Sequence, residues 1–127
     1  MTEISTSSLD DLVNTYCRAW SEPDPDARRQ LLEDAWDADG TYTDPMAEVA
    51  GRTALHAHTG ALFGEFPGMV VRSTSDVDVH HDKGRFTWQL ELPDGSVPVG
   101  GTDFVEVTPQ GQIRSIVGFF GPLAPKA

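Results

Sequence analysis

Three side chains of this 127-residue chain stand where acid–base chemistry is feasible, and the clearest is Asp103. It lies in Val97-Pro-Val-Gly-Gly-Thr-Asp-Phe-Val-Glu-Val107, where apolar residues alternate as in a strand. Val97, Val99, Val105 and Val107 share one face of that strand, and alternation puts Asp103 on the same face. A carboxylic acid there is costly to bury ionised. It must be paired, neutralised by a raised pKa, or set at a cavity wall. Two readings stay open: a structural acid held by backbone or by an Arg such as Arg72 or Arg85, and a pocket acid. Asp44, in Thr41-Tyr-Thr-Asp-Pro45, is driven towards extended backbone by Pro45 and stands at a strand end. It either shows its carboxylate to a cavity or closes a turn with its own backbone. Tyr16 lies on the apolar stripe of a helix, where its hydroxyl needs a partner. Two carboxylates and a phenol are suited to proton transfer and to stabilising an oxyanion.

Other chemistries lack their residues. His56 and His58 are two apart and do not face one another on a helix. No Cys or HExxH context completes a metal site, and no metal or other cofactor is expected. Gly100-Gly101 is no GxGxxG phosphate loop, and no GxSxG nucleophile elbow is present. The single Cys17 excludes an internal disulfide, fits a reducing cytoplasm, and reads as a buried, inert thiol.

The formal net charge of −11 argues against nucleic acid and anionic membrane as partners, since both call for basic patches. No apolar run reaches membrane-spanning length. Met1-Thr-Glu-Ile-Ser5 lacks the basic and apolar regions of a signal peptide, so a cytoplasmic location is expected. The length suits one domain over 1–127, with 1–7 and 122–127 as tails.

The elements that must position these groups run α-α-β-α-β-β-β-β. Leu9, Leu12, Val13, Tyr16 and Trp20 recur at helical spacing, with Ser8 and Asp11 as a capping pair. Asp24 can cap and Pro25 can open a second helix, which runs to about Trp36 and ends at Asp37-Ala-Asp-Gly40, with Gly40 free to take positive φ. Gly51 to Phe66 reads as a third helix capped by Thr53. Met69–His80, Arg85–Leu92, the Asp103 strand and Ile113–Phe120 read as strands. In the last, Ile113, Val117 and Phe119 share one face, and Ile116 and Phe120 the other. Helices first and strands last give an α+β fold, a curved antiparallel sheet packed on three helices, and a sheet bent around helices leaves a cone for a ligand. Trp20, Phe86, Trp88, Phe119 and His58 are the expected pocket lining. Phe120, Ile116, Phe104 and Val70 form an apolar set on the opposite face.

The element order resembles the NTF2-like superfamily over about residues 8 to 121. It does so together with Tyr16-Cys-Arg-Ala-Trp20, Gly40-Thr-Tyr-Thr-Asp-Pro45, Gly51-Arg52, Gly101-Thr-Asp-Phe104 and Gly111-Gln-Ile113…Gly118-Phe-Phe-Gly121. Within it the similarity is to the SnoaL-like and ketosteroid isomerase-like proteins. The resemblance implies a base role for Asp44, oxyanion donation by Tyr16 and a neutral Asp103, and a homodimer joined through the sheet. The implied ligand is a small apolar carbonyl compound, handled by an isomerase or a polyketide cyclase-like enzyme. Members of the superfamily without catalysis leave a second expectation, a non-catalytic ligand-binding or dimerisation module.

Overall fold

The computed structural model describes residues 6–126. Three helices, α1 (Thr6–Trp20), α2 (Pro25–Ala35) and α3 (Arg52–Glu65), pack on one face of a curved, unclosed sheet. Its strands are β1 (Trp36–Asp44), β2 (Ala47–Ala50), β3 (Val70–Ser73), β4 (Asp78–His80), β5 (Lys83–Glu91), β6 (Val99–Val107) and β7 (Ile113–Phe120). They line up as β2-β1-β7-β6-β5-β3, with β4 also on β5. The fold is α+β as expected, but the sheet is mixed. β7 slots between β6 and β1 and runs parallel to β1, whereas every other pairing is antiparallel.

Several boundaries differ from the sequence pattern for local reasons. α1 begins at Thr6, so Ser8 lies inside the helix and the expected tail is shorter. Residues 1–5 of that tail lie outside the described residues. Asp24 caps α2 through the Ala27 N–H, and Pro25 opens it. Trp36 leaves the helix and starts β1, opposite Ile113. Gly40 lies within that strand, where a Cβ would stand 2.5 Å from Trp36 Nε1 and 3.0 Å from the Ile113 carbonyl oxygen, so the close packing there calls for glycine. It is Gly51, at φ 93, that caps α3 in place of Thr53. The stretch from Met69 to His80 is two strands, and the short edge strand β2 has no counterpart in the sequence pattern.

The inner face of the sheet and the helices close over one apolar core, with Leu9, Leu32, Trp36, Ile113 and Ile116 fully buried. Each large aliphatic side chain so placed contributes roughly 1.5–3 kcal/mol. β7 carries the fault in the simple alternation. Val107 pairs with Ile113 and Glu106 with Ser115, so Arg114 is an extra residue and the strand bulges there. Beyond the bulge the faces exchange. Ile116 and Gly118 look inward, whereas Val117 and Phe119 look outward. The expected outer set is corrected accordingly: Phe104 is joined there by Val117 and Phe119, while Ile116 is core.

Two glycines bring backbones or site groups close together. At Gly101 a Cβ would lie 2.0 Å from the Phe119 carbonyl oxygen, so β6 and β7 would have to part. At Gly118 a Cβ would meet the Asp103 Oδ1 at 2.6 Å, and only a side chain must move. Urea denaturation should therefore show Gly101→Ala losing about 2–3 kcal/mol or more and Gly118→Ala clearly less. Equal losses would mean that the strands yield as easily as the carboxyl group.

Candidate active site

A cavity of about 210 Å³ opens between α1, α3 and the inner face of the sheet. Tyr16 and Trp20 reach it from α1, His58 from α3, Tyr42 and Asp44 from the end of β1, and Phe86, Trp88 and Asp103 from β5 and β6. The three expected chemical groups thus face one apolar space. Of the expected lining, Trp20, Phe86, Trp88 and His58 are in place. Phe119 is not: the Arg114 bulge turns it outward against Phe104, their rings 6.0 Å apart, and Phe120 takes the cavity position.

Asp103 sits on β6 between Phe86 of β5 and Gly118 of β7, and is 4% exposed. Among the described residues no ion pair reaches it. Arg72 binds Glu91 and Arg85 binds Asp78 on exposed surface, so neither serves as its counter-charge. Burial pushes its carboxyl up from 3.8 to about 7, and the charge of nearby Asp44 adds to the rise. The Trp88 indole N–H opposes it from close by, although the geometry falls short of a hydrogen bond. Trp88 Nε1 and Asp103 Oδ1 are both buried without a partner among the described residues. Near neutral pH this acid holds a proton that it can donate.

Asp44 stands on the other side of Gly118, its Cβ 3.6 Å from the place a Gly118 Cβ would take. Both its oxygens accept hydrogen bonds, Oδ2 from the Tyr42 hydroxyl at 2.5 Å and Oδ1 from the Met46 N–H at 2.8 Å. The two expectations for Asp44 therefore hold together: it makes a turn and it faces the cavity. Tyr42 was legible only as a strand residue. The available signal was its position two before Asp44, which puts both on one face of β1. Burial and its bond to Asp44 push the Tyr42 hydroxyl up, so it remains a donor.

Tyr16 is buried and stacks on Trp36 at 5.5 Å, with the Trp20 ring edge-on at 6.1 Å. Burial, with Asp103 and Tyr42 nearby, raises its hydroxyl well above its ordinary value and keeps it protonated. Cys17 beside it is pushed up to about 12, chiefly by burial, and so carries no thiolate at neutral pH. His56 leaves the site altogether, its Nε2 2.8 Å from the Pro25 carbonyl. Among the described residues no three His, Cys, Asp or Glu side chains gather as a metal site. No helix among them is long and apolar enough to cross a membrane.

The raised Asp103 carboxyl is linked to stability. The folded chain holds this proton up to about pH 7, and the unfolded chain releases it near 3.8. Stability from this group is therefore whole below the lower value and lost as pH rises towards the upper one. Asp103→Asn keeps the shape without titrating. Its stability relative to wild type should rise between about pH 4 and about pH 8 by a few kcal/mol, at most about 4, in urea titrations. A gap that does not change with pH would mean Asp103 ionises as freely folded as unfolded.

A family model described as the SnoaL-like domain matches residues 13–116. Among solved structures, a protein from Agrobacterium tumefaciens provisionally described as an isomerase of the SnoaL-like family is similar at 34% identity. The match covers 91% of this chain and 99% of that one, with a TM-score of 0.85. A Sinorhizobium meliloti protein provisionally described as a polyketide cyclase matches at 23% identity and TM-score 0.68, over 91% and 99% of the two chains. A Kribbella flavida protein provisionally described as a ketosteroid isomerase matches at 15% and 0.69, over 95% and 83%. The last two are distant enough to speak for the fold alone. Comparison with curated proteins gives no match. With most of its length matched by the family model, and its helices and mixed sheet shared with these structures, the chain belongs to the SnoaL-like family of NTF2-like folds.

Proposed function

We propose that this protein is an enzyme that moves a proton at a carbon next to a carbonyl group, with Asp44 as base and Asp103 and Tyr16 as oxyanion donors. One observation carries the reading. Two carboxyl groups share one apolar floor on either side of Gly118, yet their surroundings differ: one is buried without a counter-charge, the other accepts two hydrogen bonds. Two carboxyl groups placed so differently are suited to separate acid and base roles.

An apolar carbonyl compound enters the cavity and loses water. Asp44 accepts a proton from the carbon beside the carbonyl. The electron pair moves onto the carbonyl oxygen, where the protons of Asp103 and Tyr16 meet the growing negative charge. Asp44 then returns its proton to a carbon of the enolate, which gives an isomer, or the enolate carbon attacks a second carbonyl of the same molecule, which closes a ring as the proton on Asp44 passes to the alkoxide oxygen so formed. A positioned base is worth about 10²–10⁴-fold, and one oxyanion donor about 10²–10³-fold. The two neighbours provisionally described as isomerases and the one described as a cyclase are in keeping with either outcome.

The outer sheet face carries the contact between two copies in this reading. Phe104, Val117 and Phe119 are exposed there beside the ion pairs of Arg114 and Lys83 with Glu106. An apolar patch with a charged rim suits such a contact. Phe119→Lys should then halve the mass measured by light scattering on an eluting peak. A wild-type monomer would reject the contact.

Deuterium exchange at the α-carbon of a bound enone, followed by NMR, tests the chemistry. Asp44→Asn should slow it by about 10²–10⁴-fold with the fold unchanged. In the wild type, exchange should fall as pH rises through about 7, because Asp103 then loses the proton it donates. Asp103→Asn should keep a donor and remove that decline, whereas Asp103→Ala should lose about 10²–10³-fold throughout. Exchange indifferent to Asp44→Asn would leave the pocket as a ligand-binding module without this catalysis.

A further inference from the structure

We infer that the substrate of this cavity is a compact, uncharged carbonyl compound built on a single ring, and that Phe120 sets the size limit. The inference rests on the function proposed above and narrows it. Its first support is volume. The cavity holds about 210 Å³. An apolar cavity of about 150 Å³ holds one benzene, and sites for drug-sized ligands run from about 300 to 1,000 Å³. One ring with a few further atoms fills the space, and four fused rings exceed it.

The walls that set this volume are rings held by other rings. Trp88 and Phe120 meet edge to face at 6.0 Å and close the sheet side. Trp20, Tyr42 and His58 form a mutual contact on the other side, with centroids 5.2, 5.8 and 6.0 Å apart. Behind Trp20, Tyr16 is stacked on the fully buried Trp36, so α1 has no room to retreat. Close-packed aromatic walls of this kind yield little to a larger guest. Phe120 differs from the rest in being 37% exposed, the one ring of the Trp88 pair with space to be lost without opening the core.

The second support is charge. Among the described residues no Lys or Arg lines the cavity, while Asp44 and Glu65 do. A substrate bearing a carboxylate or phosphate inside the pocket would meet the side chains of Asp44, Glu65 and Asp103 with no Lys or Arg to offset them, a desolvation cost without return. The occupant is therefore neutral, and its one polar atom is an acceptor for the donors on the floor.

Toluene, phenol, benzoate and estradiol separate these claims, because they vary head group and size independently. Binding is read at the indole ¹⁵N–H signals of Trp20 and Trp88. Phenol should bind at least about tenfold tighter than toluene, benzoate and estradiol, and Phe120→Ala should improve estradiol at least about tenfold more than phenol. Estradiol binding to the wild type as tightly as phenol overturns the size limit and leaves the donor floor standing. Phe120→Ala with no shift in size order overturns the role of Phe120, and benzoate equal to phenol overturns the neutral ligand. Phenol binding no better than toluene removes the oxyanion donors and leaves the size limit intact. If neither toluene nor phenol binds, both fall.

Discussion

The site depends on one close approach, the Asp103 carboxyl lying over Gly118. β7 passes between the strands that carry the two acids, so any side chain at 118 would occupy the space in which they meet. Without one, Asp103 settles against bare backbone, cut off from water and from every arginine in the sheet. That position is what makes it a weak acid, because a neutral carboxyl group loses far less than a carboxylate on leaving water. The rest of the arrangement keeps this placement from being relieved. Phe86 and Trp88 bound it on β5, and the helices exclude solvent above it.

The contrast with Asp44 follows from chain position. Asp103 is mid-strand, where neighbours on both sides use their backbone groups in ladders and leave none for a side chain. Asp44 ends β1 before Pro45, and there the chain has a free Met46 N–H to offer it. Tyr42, two residues earlier on the same face, supplies the second donor. One acid is stripped of partners by regular pairing, and the other is given partners by the irregularity of a turn.

That logic also marks what the amino-acid string discloses. Alternation placed Asp103 on the apolar face because β6 is regular through that residue, and helical spacing placed Tyr16 and Trp20 because α1 is amphipathic throughout. It failed at Phe119, since the Arg114 bulge belongs to the pairing of β7 with β6 and leaves no mark in β7 alone. It failed at Trp36 and Gly40 for a similar reason. A glycine after a helix ordinarily reads as a stop, whereas here the space beside it is filled by the indole of Trp36. The parallel run of β7 along β1 joins segments far apart in sequence, and no local pattern encodes it. Tyr42 was visible as a residue and hidden as a function, because its role exists only through the hydroxyl it turns towards Asp44.

Stability and specificity draw on different parts of the same ring of aromatics. Tyr16, Trp20 and Tyr42 belong to the hydrophobic core as much as to the cavity, and removing one would open a void in packing that extends to Trp36. Large-to-small changes at such positions cost about 3–5 kcal/mol, a large share of what a domain of this size has to spare. Phe120, Met46 and Glu65 line the cavity from its partly open side, where the chain meets water and a change of side chain leaves little void behind. In the proposed reading the chemistry at the floor is thus tied to the fold, while the choice of ligand is set at the rim. Altered substrate size is accordingly open to substitution at the rim without disturbing the two acids, and altered acid–base behaviour requires a change in the sheet itself.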